Sequence, residues 1–399
     1  MTFEAMQQAD KQNVLQTYAR FPVAVEWGEG ATLYDVAGKK YIDFTSGIGV
    51  NAIGYGNAKW AEAITTQATK LGHISNLFYS EPYIKLAETL CGRSGMASAF
   101  FANSGAESNE GVIKLARKYS FDKYGKGRGT ILTLNQSFHG RTITTLAATG
   151  QDVFHNYFFP FTDGFRTAPT NDMEGIAAVS GHDVCAVLLE LVQGEGGVLP
   201  MDKAFVHALS ALCAERDWLL LIDEVQTGIG RTGSLFAFQQ YGILPDAVSF
   251  AKGIAGGLPL GGFLVNDRCK NVLGAGTHAT TFGGNPICCA AALAVLDILD
   301  ETALSAVGEN GAYLREEIEA MGSPFLGTPR GLGMMIGIPV KEKSNRELAS
   351  LLVQNGLLCL TAGKDALRLL PPLTITKQEM DEGLAILRQV LSDWEESDL

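Results

Sequence analysis

The sequence predicts an α/β fold with a large domain and a smaller one. Its 399 residues exceed the size at which one hydrophobic core usually stops growing, so about two domains are expected. Short apolar runs, such as residues 185–189 and 218–222, alternate with longer stretches of helical periodicity. Polar residues follow several of these runs directly, which is where open α/β sheets bind their ligands. We therefore expect a mainly parallel central sheet flanked by helices, with a site at the ends of its strands.

Composition and charge disfavour several classes of protein. A hydrophobic content of 46% with 19% charged residues is typical of a well-packed globular chain. The formal net charge of −12 argues against a nucleic-acid binder and against a protein of anionic membranes, since both need a basic face. The seven cysteines lack the spacing of a zinc site, and no apolar run is long enough to span a membrane. We expect a cytoplasmic protein with reduced thiols, no metal, no nucleic acid and no membrane.

The two ends of the chain are expected to build the smaller domain together. Residues 1–20 have the pattern of a helix with a polar face, and short β-rich runs follow. Tyr18 in this segment is either a core aromatic or a substrate contact. From residue 285 onward, helices separated by glycine and proline alternate with short apolar runs up to an acidic tail. We predict the small domain at residues 1–46 and 285–399 and the large domain at residues 47–284.

Residues 99–125 predict a strand, a turn and a capped helix. A short apolar run meets Asn103, Ser104 and Gly105, and apolar residues then recur with a period of 3.6. Ser104 and Glu107 have the spacing of a capping box, which places the start of the helix here. A glycine in such a turn lets a phosphate approach the backbone, and a helix N-terminus attracts negative charge. The turn is therefore either a simple helix cap or a phosphate-binding site.

Two further apolar runs also end in polar motifs. SFHGRT contains Phe138, which is a buried aromatic by default, and His139, which is either a general base or a loop histidine that lines a pocket. Arg141 in the same motif is either a surface arginine or a group that binds a carboxylate. ELVQGEGG contains Glu195, which is either a solvated loop carboxylate or a functional one.

Asp223 and Lys252 occupy the two most informative strand ends. The apolar run 218–222 stops at Asp223 in DEVQTGIGRTG, and the run 246–250 leads to Lys252. An aspartate that holds a pyridinium nitrogen and a lysine that forms a Schiff base are the two groups that a pyridoxal 5′-phosphate (PLP) site needs most. The pair, together with the turn at Ser104, predicts a PLP-dependent enzyme.

The motifs, taken in chain order, resemble those of the class III (subgroup II) PLP-dependent aminotransferases. They are GIGVNAIGYG, NSGAESNE, SFHGRT, QGEGG, DEVQTGIGRTG, SFAKGIAGGLPLGG and TFGGNP, and the resemblance extends roughly from Tyr18 to the C-terminal helix. It implies PLP fold type I, in which a large domain with a mainly parallel sheet joins a smaller α+β domain. It also implies an aminotransferase that works as a homodimer on small amino acids and 2-oxo acids.

The resemblance implies a set of residues around the cofactor, which are Ser104, Gly105, Ala106, Phe138, Asp223, Val225, Gln226, Lys252 and Thr281. The turn at Ser104 binds the phosphate, and Thr281 reaches the phosphate held by the neighbouring subunit. Phe138 and Val225 cover the two faces of the ring, and Gln226 binds the ring hydroxyl. Asp223 keeps the ring nitrogen protonated, while Lys252 holds the cofactor and serves as the general base.

The resemblance also implies four substrate-binding residues, which are Tyr18, Arg141, Glu195 and Arg368. Arg141 binds the α-carboxylate of the amino donor, a task that suits its planar guanidinium. Arg368 binds the α-carboxylate of 2-oxoglutarate. Glu195 pairs with Arg368 while the donor is bound, because an unpaired buried guanidinium would be costly.

The expected reaction moves the δ-amino group of N-acetylornithine to 2-oxoglutarate and gives N-acetylglutamate semialdehyde and glutamate, a step in arginine biosynthesis. Ornithine, succinyl-diaminopimelate and 4-aminobutyrate are alternative donors. The tyrosine at position 18 is shared with ornithine aminotransferases, whereas the GIGVNAIG stretch and the length favour N-acetylornithine. A nicotinamide-dependent dehydrogenase is disfavoured, since no predicted strand leads into GxGxxG.

Overall fold

The computed structural model describes residues 1–396, so the last three residues of the acidic tail lie outside the described part of the chain. The strands are β1 (Val25–Glu29), β2 (Thr32–Asp35), β3 (Lys40–Asp43), β4 (Ser98–Ala102), β5 (Thr130–Leu134), β6 (Phe165–Ala168), β7 (Val184–Leu189), β8 (Val192–Gln193), β9 (Leu199–Pro200), β10 (Leu219–Asp223), β11 (Ala247–Phe250), β12 (Gly261–Val265), β13 (Arg330–Leu332), β14 (Met335–Pro339), β15 (Leu357–Leu358), β16 (Leu360–Ala362) and β17 (Ala366–Leu369).

The helices between these strands are α1 (Phe3–Asn13), α2 (Ser46–Gly49), α3 (Ala58–Lys70), α4 (Glu81–Ser94), α5 (Gly105–Tyr124), α6 (Ile143–Ala148), α7 (Met173–Val179), α8 (Lys203–Arg216), α9 (Ala237–Tyr241), α10 (Pro286–Ile298), α11 (Glu301–Ala320), α12 (Asn345–Gln354) and α13 (Lys377–Glu396). Short 3₁₀ turns occur at Asp152–Phe154 and Lys252–Ala255. None of the helices in residues 1–396 is long and apolar enough to cross a lipid bilayer. Within the same residues, no three His, Cys, Asp or Glu side chains are grouped so that they could hold a metal ion.

Seven strands form the central sheet, in the order β4–β12–β11–β10–β7–β5–β6. The neighbours from β11 to β6 run parallel, whereas β12 is antiparallel to both β11 and β4. Every residue of β5, β7 and β10 is buried, because helices cover both faces of a parallel sheet. The predicted α/β class with a mainly parallel central sheet is confirmed.

The register of the central sheet positions the functional residues. β10 and β11 are parallel neighbours, and Asp223 pairs with Ser249 near the carboxyl end of both strands. β4 is antiparallel to β12 and leads into α5 at the same edge of the sheet. The polar residues that follow β4, β10 and β11 therefore converge on one edge, as the apolar runs predicted.

Both ends of the chain contribute strands to one small sheet. The N-terminal strands β1, β2 and β3 form a meander, and β15 from the C-terminal part pairs parallel with β3. A second small sheet has the order β13–β14–β17–β16 and carries Arg368 on β17. The predicted domain bounds at residues 46 and 285 stay a prediction.

The N-terminal helix is shorter than the sequence pattern predicts. Thr2 caps it, and it ends at Asn13 because Val14 adopts an extended conformation. No residue of α1 is buried, and Leu15 and Tyr18 beyond it are 82% and 73% exposed. The predicted extension of the helix to residue 20 is wrong. Most of the stability of a helix in a protein comes from packing of its apolar face, and this segment has nothing to pack against in the described part of the chain.

Candidate active site

A cavity of about 420 Å³ lies at the converging strand ends. Ten of the residues predicted for the site line it, and these are Ser104, Gly105, Ala106, Phe138, Arg141, Glu195, Asp223, Val225, Gln226 and Lys252. Arg368 lies directly behind Glu195 and Gln226 and bonds to both. The fold thus brings together residues that are widely separated in the chain.

Lys252 presents a free amine to this cavity. It follows β11 and has a left-handed backbone with φ of 45°, a strained conformation for a residue with a side chain. Among residues 1–396, no hydrogen bond or ion pair within 4.0 Å involves its Nζ atom. Burial lowers the pKa of Lys252, although the carboxylate of Glu195 acts in the opposite direction. A lowered pKa increases the neutral fraction of the amine, which is its nucleophilic form.

The carboxylate of Asp223 is held in place by three donors. Its Oδ2 atom lies 2.8 Å from His139 Nδ1 and 2.7 Å from Asn109 Nδ2, and its Oδ1 accepts from the Val225 N–H at 3.0 Å. Ser249 extends the network by donating to Asn109 Oδ1 at 2.6 Å. Because Asp223 is 3% exposed and acts as the acceptor, the proton of His139 is assigned to Nδ1.

The sequence interpretation missed Asn109 and Ser249. A signal was present for Asn109, because it lies three and four positions before Val112 and Ile113 on the buried face of α5. A polar residue on such a face needs a polar partner. The sequence is compatible with His139 as a general base or as a pocket-lining residue, and in the structure it lines the cavity with Nδ1 of its ring directed at Asp223.

The N-terminus of α5 faces the cavity through a glycine. Ser104 caps the helix by accepting the Glu107 N–H at 3.2 Å, as predicted. In a capping box, the Glu107 side chain would accept from the N–H of Ser104. Here Glu107 Oε2 instead accepts from the N–H of Asn103, one residue earlier, at 2.7 Å. A Cβ atom at Gly105 would lie 2.6 Å from Val225 Cγ1, so only glycine fits between the turn and Val225.

Glu195 and Arg368 form an ion pair with two hydrogen bonds. Arg368 donates to the two carboxylate oxygens of Glu195 at 2.6 and 3.3 Å, and to Gln226 Oε1 at 3.2 Å. Burial by itself would raise the pKa of Glu195, but the charge and hydrogen bonds of the Arg368 guanidinium hold this pKa below its ordinary value. The backbone carbonyl of Glu195 also accepts from the Gly363 N–H at 2.8 Å, which links the glycine loop to the small sheet.

Phe138 and Arg141 form a second wall of the cavity. The Arg141 guanidinium lies 5.4 Å from the ring centroid of Phe138 and 4.3 Å from that of Phe154, distances at which a cation and a ring attract each other. Glu190 fixes the wall from behind, since it accepts from the Phe138 N–H at 2.9 Å and from the Gly194 N–H at 3.1 Å. Burial, and then the nearby charge of Asp223, raise the pKa of Glu190 to about 7.

Two predicted site residues lie outside the cavity of this chain. Tyr18 belongs to a separate groove and has the guanidinium of Arg20 5.5 Å from its ring centroid. Thr281 is exposed on a loop that leads to α10. Their assigned roles in binding substrate and in binding a partner's cofactor stay predictions.

The residues around the cavity fit PLP. A free lysine amine, a buried carboxylate and a glycine-lined helix N-terminus face one space, together with the aromatic Phe138 and the aliphatic Val225. These groups match the aldehyde, the pyridine nitrogen, the phosphate and the two ring faces of PLP. The fold and the site together define a PLP-dependent enzyme of fold type I.

Comparison with known proteins identifies the family. The family described as Aminotransferase class-III matches residues 14–391, and the chain belongs to it. Class-III aminotransferases are PLP-dependent, so this chain is a PLP-dependent aminotransferase that acts on small amino acids and 2-oxo acids. Acetylornithine aminotransferase of Haemophilus ducreyi is 50% identical to it over 395 residues, which cover 98% of this chain and 100% of that protein.

Solved structures show the same fold. Acetylornithine aminotransferase of Elizabethkingia anophelis is 30% identical, with a TM-score of 0.88 over 98% of this chain and 100% of that one. Ornithine aminotransferase of Toxoplasma gondii is 29% identical, with a TM-score of 0.95 over 99% of this chain and 95% of that one. The Toxoplasma structure has PLP at partial occupancy in its active site.

Proposed function

We propose that this enzyme transfers the δ-amino group of N-acetylornithine to 2-oxoglutarate and forms N-acetylglutamate semialdehyde and glutamate. The relative from Haemophilus ducreyi, which is named for this donor, supports the proposal over nearly the whole chain. The observation that carries it is the ion pair between Arg368 and Glu195 beside the free amine of Lys252. Such a pair suits an enzyme whose two substrates present different charges next to the reacting carbon.

Lys252 and Asp223 would hold the cofactor at its two ends. PLP, when bound, supplies an electron sink that makes the loss of a proton from the substrate carbon feasible. Asp223, oriented by His139 and Asn109, would keep the ring nitrogen protonated. Nζ of Lys252 would take the proton from the substrate carbon that bears the amino group, because its lowered pKa favours the neutral amine.

Other residues would position the cofactor. We assign its phosphate to the turn at Ser104, Gly105 and Ala106, where the helix N-terminus and the absence of a side chain at Gly105 support the assignment. Phe138 and Val225 would cover the two ring faces, and Gln226 would bind the ring hydroxyl.

The two substrates would use the arginines in turn. The δ-carbon of N-acetylornithine has no carboxylate beside it, so Arg368 stays paired with Glu195 while Arg141 binds the distant α-carboxylate. The reacting carbon of 2-oxoglutarate is attached to a carboxylate, which displaces Glu195 and takes both hydrogen bonds of Arg368. One pocket thereby accepts both substrates without leaving a buried guanidinium unpaired.

Ornithine is the second candidate donor. The TM-score of 0.95 to an ornithine aminotransferase favours it, and so does the tyrosine at position 18. The two donors differ by an acetyl group that removes the charge of the α-amine. Comparing kcat/KM for N-acetylornithine and ornithine decides between them, since specificity is the ratio of these values. A larger value for ornithine would overturn the choice of donor and leave the aminotransferase class intact.

We further propose that the enzyme is a cytoplasmic homodimer with shared active sites. Large apolar side chains are exposed around Thr281, and Phe282, Leu77, Phe78 and Tyr79 are 63%, 88%, 64% and 96% exposed. His73 lies 5.6 Å from Phe282 between ring centroids, so the two segments form one surface. Contiguous exposed apolar side chains are typical of an interface. In a two-fold dimer Thr281 would reach the phosphate bound by the partner.

Replacing the lysine tests the proposal directly. Lys252→Ala is expected to abolish both turnover and the visible absorption band of the bound cofactor, because no other described amine lines the cavity. Lys270→Ala is the matched control, since Lys270 forms an exposed ion pair with Asp267. Turnover near that of the unmodified enzyme in Lys252→Ala would show that the assigned mechanism is wrong.

A further inference from the structure

Arg231 is a buried arginine whose acceptors are all uncharged in the described chain. It belongs to DEVQTGIGRTG and is 2% exposed. Its Nη1 donates to the carbonyl of Pro371 at 2.6 Å and to that of Met334 at 3.1 Å, and its Nη2 donates to Ser46 Oγ at 3.3 Å. Burial lowers the pKa of Arg231 to about 9, with the carboxylate of Asp43 acting against this. The guanidinium therefore stays charged at neutral pH.

The three acceptors belong to three separate parts of the chain. Pro371 follows β17, Met334 precedes β14, and Ser46 begins α2 behind the N-terminal strands. A buried charge with neutral acceptors is unfavourable compared with an apolar side chain, so packing alone does not account for an arginine here. The planar guanidinium of Arg231 presents its N–H groups in a fixed geometry, so it can hold three segments at fixed separations. An apolar side chain has no donors, and a lysine has no such fixed geometry.

The joined segments adjoin Arg368. Leu370, two residues after Arg368, donates its N–H to Phe44 at 2.7 Å and accepts from Ser46 Oγ at 2.6 Å. Arg231 holds Ser46 and Pro371 on the two sides of this contact. The chain that leaves β17 directly after Arg368 is therefore held by bonds that converge on Arg231.

Ser46 also begins a strained turn that leads to the wall of the cavity. Ser46, Gly47, Ile48 and Gly49 have consecutive φ values of 40°, 62°, 67° and 77°, a left-handed arrangement that a β-branched residue such as Ile48 rarely adopts. Val50 follows directly and lines the cavity. Strain of this kind persists only where surrounding bonds impose it. Thr45 holds the turn from within by accepting from Gly47 and Gly49, and the Oγ atom of Ser46 ties it to Leu370 and Arg231.

We propose that Arg231 is a positioning residue that sets Arg368 for the carboxylate of the 2-oxo acid. This inference rests on the proposed function, in which Arg368 binds that carboxylate. Arg231 acts through Pro371 and Ser46 and does not itself line the cavity. Its loss is expected to move Arg368 relative to Glu195 and to leave in place Asp223, which ends β10, and Arg141, which follows β5.

The test separates the two half-reactions of the holoenzyme. Arg231→Lys keeps the charge and loses the fork, and Ser46→Ala removes one of the joined acceptors. For each variant, kcat/KM is measured by stopped-flow absorbance for the amino donor and for 2-oxoglutarate. The dissociation constant of glutarate, a dicarboxylate that does not react, is measured by titration. Arg93→Lys is the matched control, because Arg93 also donates to two backbone carbonyls, those of Leu296 and Leu299, and none of these residues lines the cavity.

We expect Arg231→Lys and Ser46→Ala to lower kcat/KM for 2-oxoglutarate and weaken glutarate binding about tenfold, since small displacements of a binding group have effects of this order. The donor half-reaction should change by less than about twofold, and Arg93→Lys should change neither. Equal losses in both half-reactions, or no loss in either, would overturn the inference. If Arg231→Lys does not fold, Ser46→Ala decides by the same criterion.

Arg368→Gln distinguishes this inference from the function on which it rests. If Arg368→Gln leaves the 2-oxoglutarate half-reaction unchanged, the role assigned to Arg368 is wrong, and so is the inference about Arg231. If Arg368→Gln slows that half-reaction while Arg231→Lys and Ser46→Ala do not, only the inference is wrong.

Discussion

At the scale of the residue, Glu195 and Arg368 differ in their freedom to move. The side chain of Arg368 is 4% exposed, whereas that of Glu195 is 29% exposed and belongs to a glycine loop. Arg368 is also fixed within β17, which pairs with strands on both sides. In the proposed exchange of partners, we therefore expect the Glu195 carboxylate to leave when the ion pair opens and the Arg368 guanidinium to stay in place.

Glu195→Gln should slow the half-reaction with the amino donor and spare the half-reaction with 2-oxoglutarate. Without the carboxylate, Arg368 is an unpaired buried cation during the donor half-reaction, and kcat/KM for the donor should fall at least about tenfold. The half-reaction with 2-oxoglutarate should be unchanged or faster, because its carboxylate no longer competes with Glu195. Single-turnover absorbance measurements of each half-reaction give both values.

Glu215→Gln provides the comparison for this variant. Glu215 pairs with Arg216 on the surface, where both side chains are more than half exposed. An exposed ion pair contributes little, so this change should leave both half-reactions as they are. A Glu195→Gln enzyme with unaltered donor kinetics would contradict the exchange of ion-pair partners.

Functional residues could be predicted from the sequence where a local pattern distinguished them from their neighbours. Asp223 and Lys252 stand out because each is a charged residue at the end of a buried apolar run. Ser249 and Arg231 carry no such signal, since their partners Asn109 and Pro371 lie more than a hundred positions away in the chain. Contacts between distant segments exist only after the chain has folded, so no local pattern encodes them.

At the scale of the element, the start of α5 depends on close contact with the loop after β10. Gly105 →Ala would place a Cβ atom 2.6 Å from Val225 Cγ1 and 3.0 Å from Val225 Cγ2. Val225 would have to move, and with it one wall of the cofactor cavity. We expect Gly105→Ala to weaken PLP binding at least about tenfold, measured by equilibrium titration of the apoenzyme with PLP.

Gly92→Ala is the matched change on another helix. Gly92 lies in α4 with nothing within 4 Å of the added Cβ atom, so alanine should stabilise the protein by about 0.5–1 kcal/mol and leave PLP binding unaltered. Equal PLP affinity in the two variants would show that the contact between Gly105 and Val225 does not shape the site.

The types of element were more predictable than their ends. Continuous apolar runs identified β7 and β10, because strands covered on both faces need no alternation. The helix expected at residues 1–20 stops at Asn13, since periodicity shows which face is apolar and does not show whether that face is covered. The cap at Ser104 was located correctly because its chemistry is local.

At the scale of the whole molecule, shared active sites predict complementation between inactive subunits. Lys252→Ala and Thr281→Asp chains should each be inactive as homodimers, the second because an acidic side chain repels the phosphate. In a heterodimer, one site combines the intact Lys252 of one chain with the intact Thr281 of the other. An equal mixture that exchanges subunits should regain about a quarter of full activity, because half of the dimers are mixed and each has one intact site.

The control for complementation mixes two variants, each with a defect in the part of the active site that a chain builds by itself. Lys252→Ala combined with Gly105→Ala leaves no site in the heterodimer with both groups intact, so its activity should not exceed that of the separate variants. A mixture of Lys252→Ala and Thr281→Asp without recovered activity would show that each chain builds its site alone.

The pairing of β15 with β3 has a consequence for biosynthesis. The strands β1, β2 and β3 leave the ribosome first, while β15 and the arginine-bearing strand β17 are translated near the end. Until then the nascent meander exposes an unpaired backbone edge, which is a template for aggregation. A ribosome stalled before residue 357 is therefore expected to carry a chain that needs a chaperone and that still lacks Arg368.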